Sequence, residues 1–347
     1  MRTPPAPRLA AIVALTLLAV FAAVYTYADT LAAGTGSITG RVRLEGRKRH
    51  NGVYATLDGG SVHVETDADG RFTFTNVPLG AHVLRLDMPG YLAVEGQFQT
   101  TQPTTVLGDL TMTGGDAYGD QVIDIFDLTL VARAYDSQPP ADPKADLNAD
   151  GRVDLLDLVL VTQNYDKRGP TGGQTKALTL LPPALSKVQQ ERPVQIAREP
   201  GPSDPTAQWA LSPAKDAYAI GDVVTATLTL SNASNVHGAE VRQSYNTKQL
   251  RSTTASPLPA PTQAGALFAQ DTLTPRNTAA NGAIFVQAAQ VGEAERPADG
   301  ALAQVAFQVT GCGATTFDTR GVRLTDGKGG AIPFNAGPPV TLTTACK

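Results

Sequence analysis

Apolar and polar residues alternate in several short segments near both ends of the chain, and turn-forming Gly, Pro and Asp residues separate these segments. Alternation with a period of two is typical of strands that have one buried face. The predicted strands are Ser37–Leu44, Arg71–Thr75, Ala81–Leu86, the regularly alternating Val223–Leu230, and Leu302–Val309, which is more apolar and less regular. They predict one all-β domain in residues 36–112 and another in residues 207–347, so the expected fold class is multidomain and mainly β.

The spacing of apolar residues changes between these two regions. Leu128, Val131, Ala132 and Tyr135 fall at i, i+3, i+4 and i+7. The same stripe returns in the second half of the region, at Leu158, Val161, Thr162 and Tyr165. This spacing predicts two short amphipathic helices whose stripes can pack against each other. Residues 114–168 are therefore predicted to form a small module of two loop–helix units, here called the loop–helix module.

An acidic loop leads into each predicted helix. In the second loop, oxygen-bearing side chains stand at positions 1, 3, 5, 9 and 12 of twelve residues, and Gly151 stands at position 6. Calcium takes six to eight oxygen ligands, and this spacing lets the chain wrap around the ion, with Gly at the sharp turn. Carboxylates this close repel each other unless a cation lies between them. The predicted ligands are Asp146, Asn148, Asp150, Asp154, Asp157 and the carbonyl of Arg152.

The first loop is an altered copy of the second. Its predicted ligands are Asp116, Asp120, Asp124, Asp127 and the carbonyl of Val122. Tyr118 stands at position 3, where its ring is too bulky to place an oxygen easily. Gln121 stands at position 6, where a left-handed backbone costs roughly 1–2 kcal/mol for a residue other than Gly. We therefore predict two Ca²⁺ sites, of which the first is weaker; solvated acidic turns are the alternative interpretation.

Two motifs carry a resemblance of residues 114–168 to the dockerins, the calcium-dependent plug modules of cellulosomal proteins. They are GDAYGDQVIDIFDLTLVARAYD and ADLNADGRVDLLDLVLVTQNYD. The resemblance implies docking to a cohesin-bearing protein, with the two residues before position 12 helping to select the partner. The expected partner-binding residues are Ile125, Phe126, Leu130, Leu155, Leu156 and Leu160. All six are apolar, which favours an apolar partner surface; a role in the helix core is the alternative.

The two all-β regions also resemble known families. The run DADGRFTFTNVPLGAHVLRLDMPGY in residues 36–112 resembles the carboxypeptidase regulatory-like domain, which implies a prealbumin-type sandwich without peptidase chemistry. The runs GDVVTATLTLSNASNVHGAEVRQSYNTKQL and ALAQVAFQVTGCG in residues 207–347 resemble a cohesin. A cohesin is a jelly-roll β-sandwich, and the resemblance implies that this region receives a dockerin-bearing protein.

The N-terminal sequence and the cysteines indicate export. Residues 1–31 contain Arg2 and Arg8 and then the mostly apolar run Leu9–Tyr25, a pattern typical of a signal peptide; an uncleaved N-terminal membrane anchor is the alternative. An oxidising compartment allows a disulfide between Cys312 and Cys346, with two free thiols as the alternative. Proline-rich residues 169–206 predict a semi-stiff linker. The expected localisation is secreted or cell-surface.

Charge and motifs argue against other classes of function. The net charge of −4 does not imply a nucleic-acid partner. None of the four histidines has metalloprotease spacing, and neither a nucleophile elbow nor a phosphate-binding loop occurs, so we predict that the protein is not an enzyme.

The expected function is a non-catalytic adaptor in a polysaccharide-degrading assembly. The alternatives are a cell-surface adhesin or structural protein, and a carbohydrate-binding protein with polysaccharide as partner, although aromatic residues make up only 6% of the chain.

Overall fold

The computed structural model describes residues 34–60, 63–171, 179–180, 198–259, 266–268, 271–292 and 297–345. The predicted signal peptide or anchor and much of the predicted linker lie outside these residues. Within the described ranges, the structure contains no helix that is both long enough and apolar enough to cross a membrane.

The N-terminal part of the chain forms two sheets that enclose an apolar core. Its strands are β1 (Thr35–Leu44), β2 (Tyr54–Leu57), β3 (His63–Glu65), β4 (Arg71–Pro78), β5 (Gly80–Asp87), β6 (Gly90–Tyr91), β7 (Val94–Thr100), β8 (Thr104–Met112) and β9 (Gly114–Asp116). One sheet has the order β4–β1–β8, in which β1 is antiparallel to β4 and parallel to β8. The other contains β7–β5–β2–β3, while the short strands β6 and β9 pair with each other in a sheet of their own. We call this unit the N-terminal sandwich.

The sequence pattern explains the core of this sandwich. Ile38, Phe72 and Leu84 occupy alternating positions on three different strands, and all three are buried. The predicted strands in this region are observed with slightly wider bounds. An unexpected strand, β10 (Thr179–Leu180), comes from the predicted linker and pairs antiparallel with β7. Part of the linker is therefore bound to the edge of the N-terminal sandwich.

The loop–helix module contains the two predicted helices, α1 (Ile125–Ala134) and α2 (Leu155–Gln163). Both begin with a capping box. The side chain of the N-cap Asp accepts the backbone N–H of the Asp three residues later, and the side chain of that second Asp accepts the backbone N–H of the N-cap. Leu128 and Val131 of α1 and Leu158 and Val161 of α2 share one apolar core, as predicted. Tyr135, the last residue of the predicted stripe on α1, is not part of this core and is 36% exposed.

The C-terminal part forms a second, larger sandwich, here called the C-terminal sandwich. Its strands are β11 (Thr206–Ser212), β12 (Val223–Ser231), β13 (Gly238–Ser244), β14 (Leu250–Ser252), β15 (Thr272–Leu273), β16 (Asn277–Ala280), β17 (Ala283–Gln290), β18 (Gly300–Val309), β19 (Ala314–Phe317), β20 (Val322–Thr325), β21 (Asn335–Ala336) and β22 (Val340–Thr343). One sheet has the order β14–β18–β12–β11–β21, and the other has the order β15–β17–β13–β20, with β16 also paired to β17.

Aromatic side chains fill the centre of the C-terminal sandwich. The Trp209 ring lies 5.3 Å from that of Phe317, and its Nε1 donates to the carbonyl of Asp318 at 2.9 Å. Trp209 is 1% exposed, so the only tryptophan of the chain is a core residue. Cys312 is disulfide-bonded, and Cys346, the other cysteine of the chain, lies outside the described residues. The mainly β fold class is confirmed.

Candidate calcium-binding and docking site

The two loop–helix units are related by an approximate two-fold axis that is visible in their backbone hydrogen bonds. Each loop pairs with the segment that follows the helix of the other unit. Asp136 N donates to Val153 O at 2.9 Å, and Asp166 N donates to Ile123 O at 2.8 Å. Two return bonds, Val153 N to Ser137 O and Ile123 N to Lys167 O, are both 3.0 Å long. The repeat in the sequence is therefore a repeat in three dimensions, and the units hold each other's loops in place.

The second loop has the curvature of an ion-binding loop. Asp146, at position 1, accepts from the backbone N–H groups of Asp150 at 3.1 Å and Gly151 at 3.0 Å. Gly151 adopts a φ of +90°, which explains the glycine at position 6. Asp157, at position 12, is fully buried and accepts from Leu147, Asn148 and Asp154. The last carboxylate thereby joins the start of the loop to the start of α2.

The first loop repeats this arrangement with one substitution of consequence. Asp116 accepts from the backbone of Gly119, Asp120 and Gln121. Gln121 has the predicted left-handed conformation, with a φ of +65°. Its side-chain Nε2 donates to Asp116 Oδ2 at 3.1 Å, while its Oε1 accepts from Ala93 N at 2.7 Å. A side chain that glycine lacks therefore occupies one oxygen of the first predicted ligand and ties the loop to the N-terminal sandwich.

Burial gives the acidic residues of the first loop unusual proton affinities. Burial, and then the charge of Asp120, raises the pKa of Asp116 to about 7. Burial raises the pKa of Asp124 to about 6 and that of Asp127 well above its ordinary value. In the second loop, burial also raises the pKa of Asp157. Carboxylates that are this costly to ionise alone are the groups that gain most from a bound cation.

The donor set fits Ca²⁺ in chemistry and in loop shape. Every side chain predicted to bind the ion offers a hard carboxylate or amide oxygen, and both loops have positive φ at positions 4 and 6, namely at Gly119, Gln121, Ala149 and Gly151. Within the described residues no three His, Cys, Asp or Glu side chains converge as a metal-binding group. The carboxylate oxygens of Asp116 and Asp146 accept backbone N–H groups of their own loops, which holds each loop in a curve around its centre. The ligand assignments remain predictions.

Replacing Gln121 with glycine is expected to strengthen the first site. The change removes the left-handed cost of roughly 1–2 kcal/mol and takes the side-chain amide away from Asp116 Oδ2, which keeps the backbone N–H of residue 121. Because ion binding orders the loop, we expect the Kd of the weaker site to fall about fivefold or more, as measured by calorimetric titration of the full chain. Gln121→Ala is the matched control, since it also takes the side-chain amide away and keeps the backbone cost. An unchanged or higher Kd in Gln121→Gly would contradict this account.

The structure separates the six predicted partner-binding residues into two groups. Leu155 and Leu156 are 62% and 58% exposed. The other four are buried or half-buried: Ile125, Phe126, Leu130 and Leu160. Val159 is 41% exposed and extends the exposed apolar face of α2, which we call the α2 face (Leu155, Leu156 and Val159). Val159 is not among the six predicted partner-binding residues, although its spacing from Leu155 and Leu156 places it on the same side of the helix.

Besides the Gln121 contact of the first loop, the module contacts the N-terminal sandwich through α2 and the second loop. A Cβ added to Gly46 would lie 2.8 Å from Leu160 Cδ1, so Leu160 packs closely against this sandwich. Glu45 accepts from Gln163 Nε2 at 3.0 Å and from Asn164 Nδ2 at 2.7 Å. Tyr91 donates its hydroxyl to Leu147 O at 3.1 Å. One side of α2 is therefore occupied within the chain, and the α2 face remains open.

The module contacts the C-terminal sandwich through α1. Arg323 Nη1 donates to Asp124 Oδ2 at 2.9 Å, and Thr325 Oγ1 donates to Thr129 Oγ1 at 2.8 Å. Both partners lie on β20.

Comparison with known families identifies the module that lies between the two sandwiches. Residues 114–165 match the dockerin type I domain. We call them the dockerin segment from here on.

Comparison with solved structures finds cohesin modules. A type II cohesin–X–dockerin complex from Acetivibrio cellulolyticus contains a chain that is 22% identical, with a TM-score of 0.35; the match covers 38% of this chain and 97% of that one. A type II cohesin domain from the cellulosome of the same organism is 20% identical, with a TM-score of 0.32, and covers 40% and 95%. A type II cohesin from Bacteroides cellulosolvens is 18% identical, with a TM-score of 0.32, and covers 40% and 99%. No curated protein matches the chain.

The dockerin prediction is confirmed by the family match, and it defines a protein-interaction module. No comparison tests the prediction of a prealbumin-type fold for the N-terminal sandwich, which remains a prediction. Three residues that build the contacts of the dockerin segment had no signal in the sequence: Glu45, Glu240 and Arg323. They lie on the two sandwiches, far along the chain from their partners Asn164, Tyr165 and Asp124.

Proposed function

We propose that this protein is a non-catalytic, secreted or cell-surface adaptor whose dockerin segment binds a cohesin of another protein in a calcium-dependent manner. The observation that carries the proposal is the α2 face. It places two large exposed leucines directly after the N-cap Asp154, itself a predicted calcium ligand, so ordering of the second loop orders the binding surface. Apolar side chains that are exposed together on a rigid helix are typical of an interaction site.

The remaining parts of the proposal follow from the modules. The C-terminal sandwich serves as a cohesin-like socket, and the assembly degrades polysaccharide, as the resemblance to cellulosomal dockerins implies. The disulfide of Cys312 supports an oxidising compartment outside the cytosol. An adhesin built from the same modules is the alternative, and co-secreted glycoside hydrolases that bear dockerins would favour the adaptor. Direct carbohydrate binding is less well supported because Trp209 is buried and offers no platform for a sugar.

Binding to purified cohesin modules tests the proposal. We expect the full chain to bind at least one module from a panel of immobilised type I and type II cohesins in calcium buffer. We expect binding to be lost when a chelator removes the ion, because the loops then no longer fix the α2 face. Surface plasmon resonance measures both conditions on the same sensor. Equal binding with and without chelator would contradict the calcium dependence, and an absence of binding to the whole panel would contradict the docking function.

A further inference from the structure

The outer side of α1 is covered by a sheet of the same chain. Thr129 of α1 receives the hydroxyl hydrogen bond from Thr325, and Ala132 O accepts from Gly292 N at 3.4 Å. Ala289 of β17 is fully buried in the same apolar cluster as Ile125 and Leu130. The helix thus lies across β17, β13 and β20, which are neighbours in one sheet of the C-terminal sandwich. We call this surface the β20–β13–β17 face.

Polar contacts surround this apolar centre, and one of them is deeply buried. Tyr165 of the dockerin segment donates its hydroxyl to Glu240 Oε2 at 2.7 Å, and Glu240 is fully buried. Gln287 Nε2 donates to the same oxygen at 3.3 Å, while Arg242 donates to Oε1 at 2.7 Å and also pairs with Asp166. A buried carboxylate is costly unless it is fully partnered. One of its partners here comes from the dockerin segment, which indicates a specific contact.

Glycines shape the β20–β13–β17 face for a helix. A Cβ added to Gly238 of β13 would lie 2.0 Å from Thr129 Oγ1, and one added to Gly329 would lie 2.9 Å from Phe126 O. A Cβ added to Gly327 would lie 3.0 Å from the Arg133 guanidinium. Any side chain at Gly238 would therefore prevent α1 from approaching the strand this closely.

By the repeat in the dockerin segment, the covered surface of α1 is equivalent to the exposed α2 face. Ile125, Phe126 and Thr129 of α1 are equivalent by the repeat to Leu155, Leu156 and Val159, which form the α2 face. Of two equivalent surfaces, one is covered by a sheet and the other is exposed. The linker joins the dockerin segment covalently to this sandwich, so docking of α1 on this sheet is an intramolecular event. A dockerin of another protein at micromolar concentration would compete poorly for the same sheet.

We propose that the contact of α1 with the β20–β13–β17 face is an intramolecular docked state. The chain's own dockerin segment fills the face of its C-terminal sandwich, closes it to dockerins of other proteins, and prevents copies from joining head to tail. The α2 face stays available for an external cohesin. This inference rests on the proposed function only in treating the sandwich as a socket; the contact itself can be tested separately.

Cutting the linker tests whether the two parts hold together without a covalent connection. A specific protease site inserted after Gln190 divides the full chain into an N-terminal piece with the dockerin segment and a C-terminal piece with the sandwich. Both cysteines lie in the C-terminal piece, so no disulfide can join the two. After cleavage in calcium buffer at micromolar concentration, we expect the pieces to elute together in size-exclusion chromatography. Separate elution of the two pieces would overturn the proposal.

Substitutions then locate the contact. Gly238→Ala is expected to reduce co-elution at least tenfold, because its methyl group meets Thr129 Oγ1 and also Thr325 Oγ1 of the same sandwich. The thermal midpoint of the C-terminal piece establishes that this variant is folded. Gly201→Ala is the matched control, since its nearest non-neighbouring atom would be 3.7 Å away, and it should leave co-elution unchanged. Arg323→Glu provides a second variant whose side chain, 45% exposed, places a carboxylate beside Asp124 without touching the sandwich core. Undiminished co-elution in both interface variants would overturn the assignment to this face.

The same preparations separate this inference from the proposed function. Leu156→Glu alters the α2 face alone, so it should leave co-elution of the cut pieces intact while removing binding to an immobilised cohesin. If the pieces co-elute and no cohesin binds, the proposed external docking fails and the intramolecular state stands. If a cohesin binds and the pieces separate, the intramolecular state fails and the external docking stands.

Discussion

Removal of calcium is expected to unfold the dockerin segment and to leave both sandwiches folded. The segment has a small core, and its loops place buried carboxylates close together. An ion present at a thousand times its Kd stabilises a folded site by about 4 kcal/mol. Losing that amount at two sites is comparable to the whole stability of a small domain, about 5–15 kcal/mol. The two sandwiches have their own cores, so we expect them to stay folded without the ion.

Hydrogen exchange measured by mass spectrometry tests this expectation, because it reports the protection of peptides from each part of the chain separately. Peptides from α1 and α2 should lose their protection in a chelator, while peptides from β12 and β18 should keep theirs. Asp150→Asn tests a single ligand, because it keeps an oxygen at position 5 and removes one charge. We expect it to raise the Kd of the second site about tenfold, or about 1.4 kcal/mol. Asp142→Asn, just outside the loop, is the matched control. Equal protection of both helices with and without chelator would contradict calcium-coupled folding.

Leu156→Glu is expected to abolish binding of an external cohesin. Leu156 is 58% exposed at the centre of the α2 face, where an apolar partner would bury it. Truncating a central residue of an interface costs about 2–4 kcal/mol. A buried, unpaired carboxylate adds to that cost, so we expect at least a hundredfold rise in the Kd. The position is exposed in the free protein, so the variant should fold and bind calcium as the wild type does.

Val106→Glu is the matched control for this variant. Val106 is 66% exposed on β8 of the N-terminal sandwich, away from the α2 face, so the same kind of substitution there should leave the Kd unchanged. Surface plasmon resonance against one cohesin module compares the two variants directly, and their thermal midpoints establish that both are folded. Equal losses of binding in the two variants, or no loss in either, would show that the α2 face is not the docking surface.

The sequence predicted those parts of the molecule that depend on neighbouring residues. The loop positions, the two helices and their apolar stripe follow from spacings of twelve residues or fewer, which the backbone geometry of a turn or helix converts directly into structure. The strands Val223–Ser231 and Gly300–Val309 follow from alternation, because a strand with one buried face needs an apolar residue at every second position. The place of Gln121 at position 6 of the first loop, where a glycine is usual, predicted its left-handed backbone.

The tertiary structure alone decided which surfaces remain available. Ile125 and Leu155 are equivalent apolar residues in the repeat, yet the first is buried and the second is 62% exposed. The difference arises from the β20–β13–β17 face, whose Arg323 and Thr325 meet Asp124 and Thr129 from 199 and 196 residues away in the sequence. Contacts of this kind depend on how folded units pack and leave no periodic signal in either segment. The residues by themselves thus determined the two loops and their helices, while packing determined that one helix is covered and the other is free.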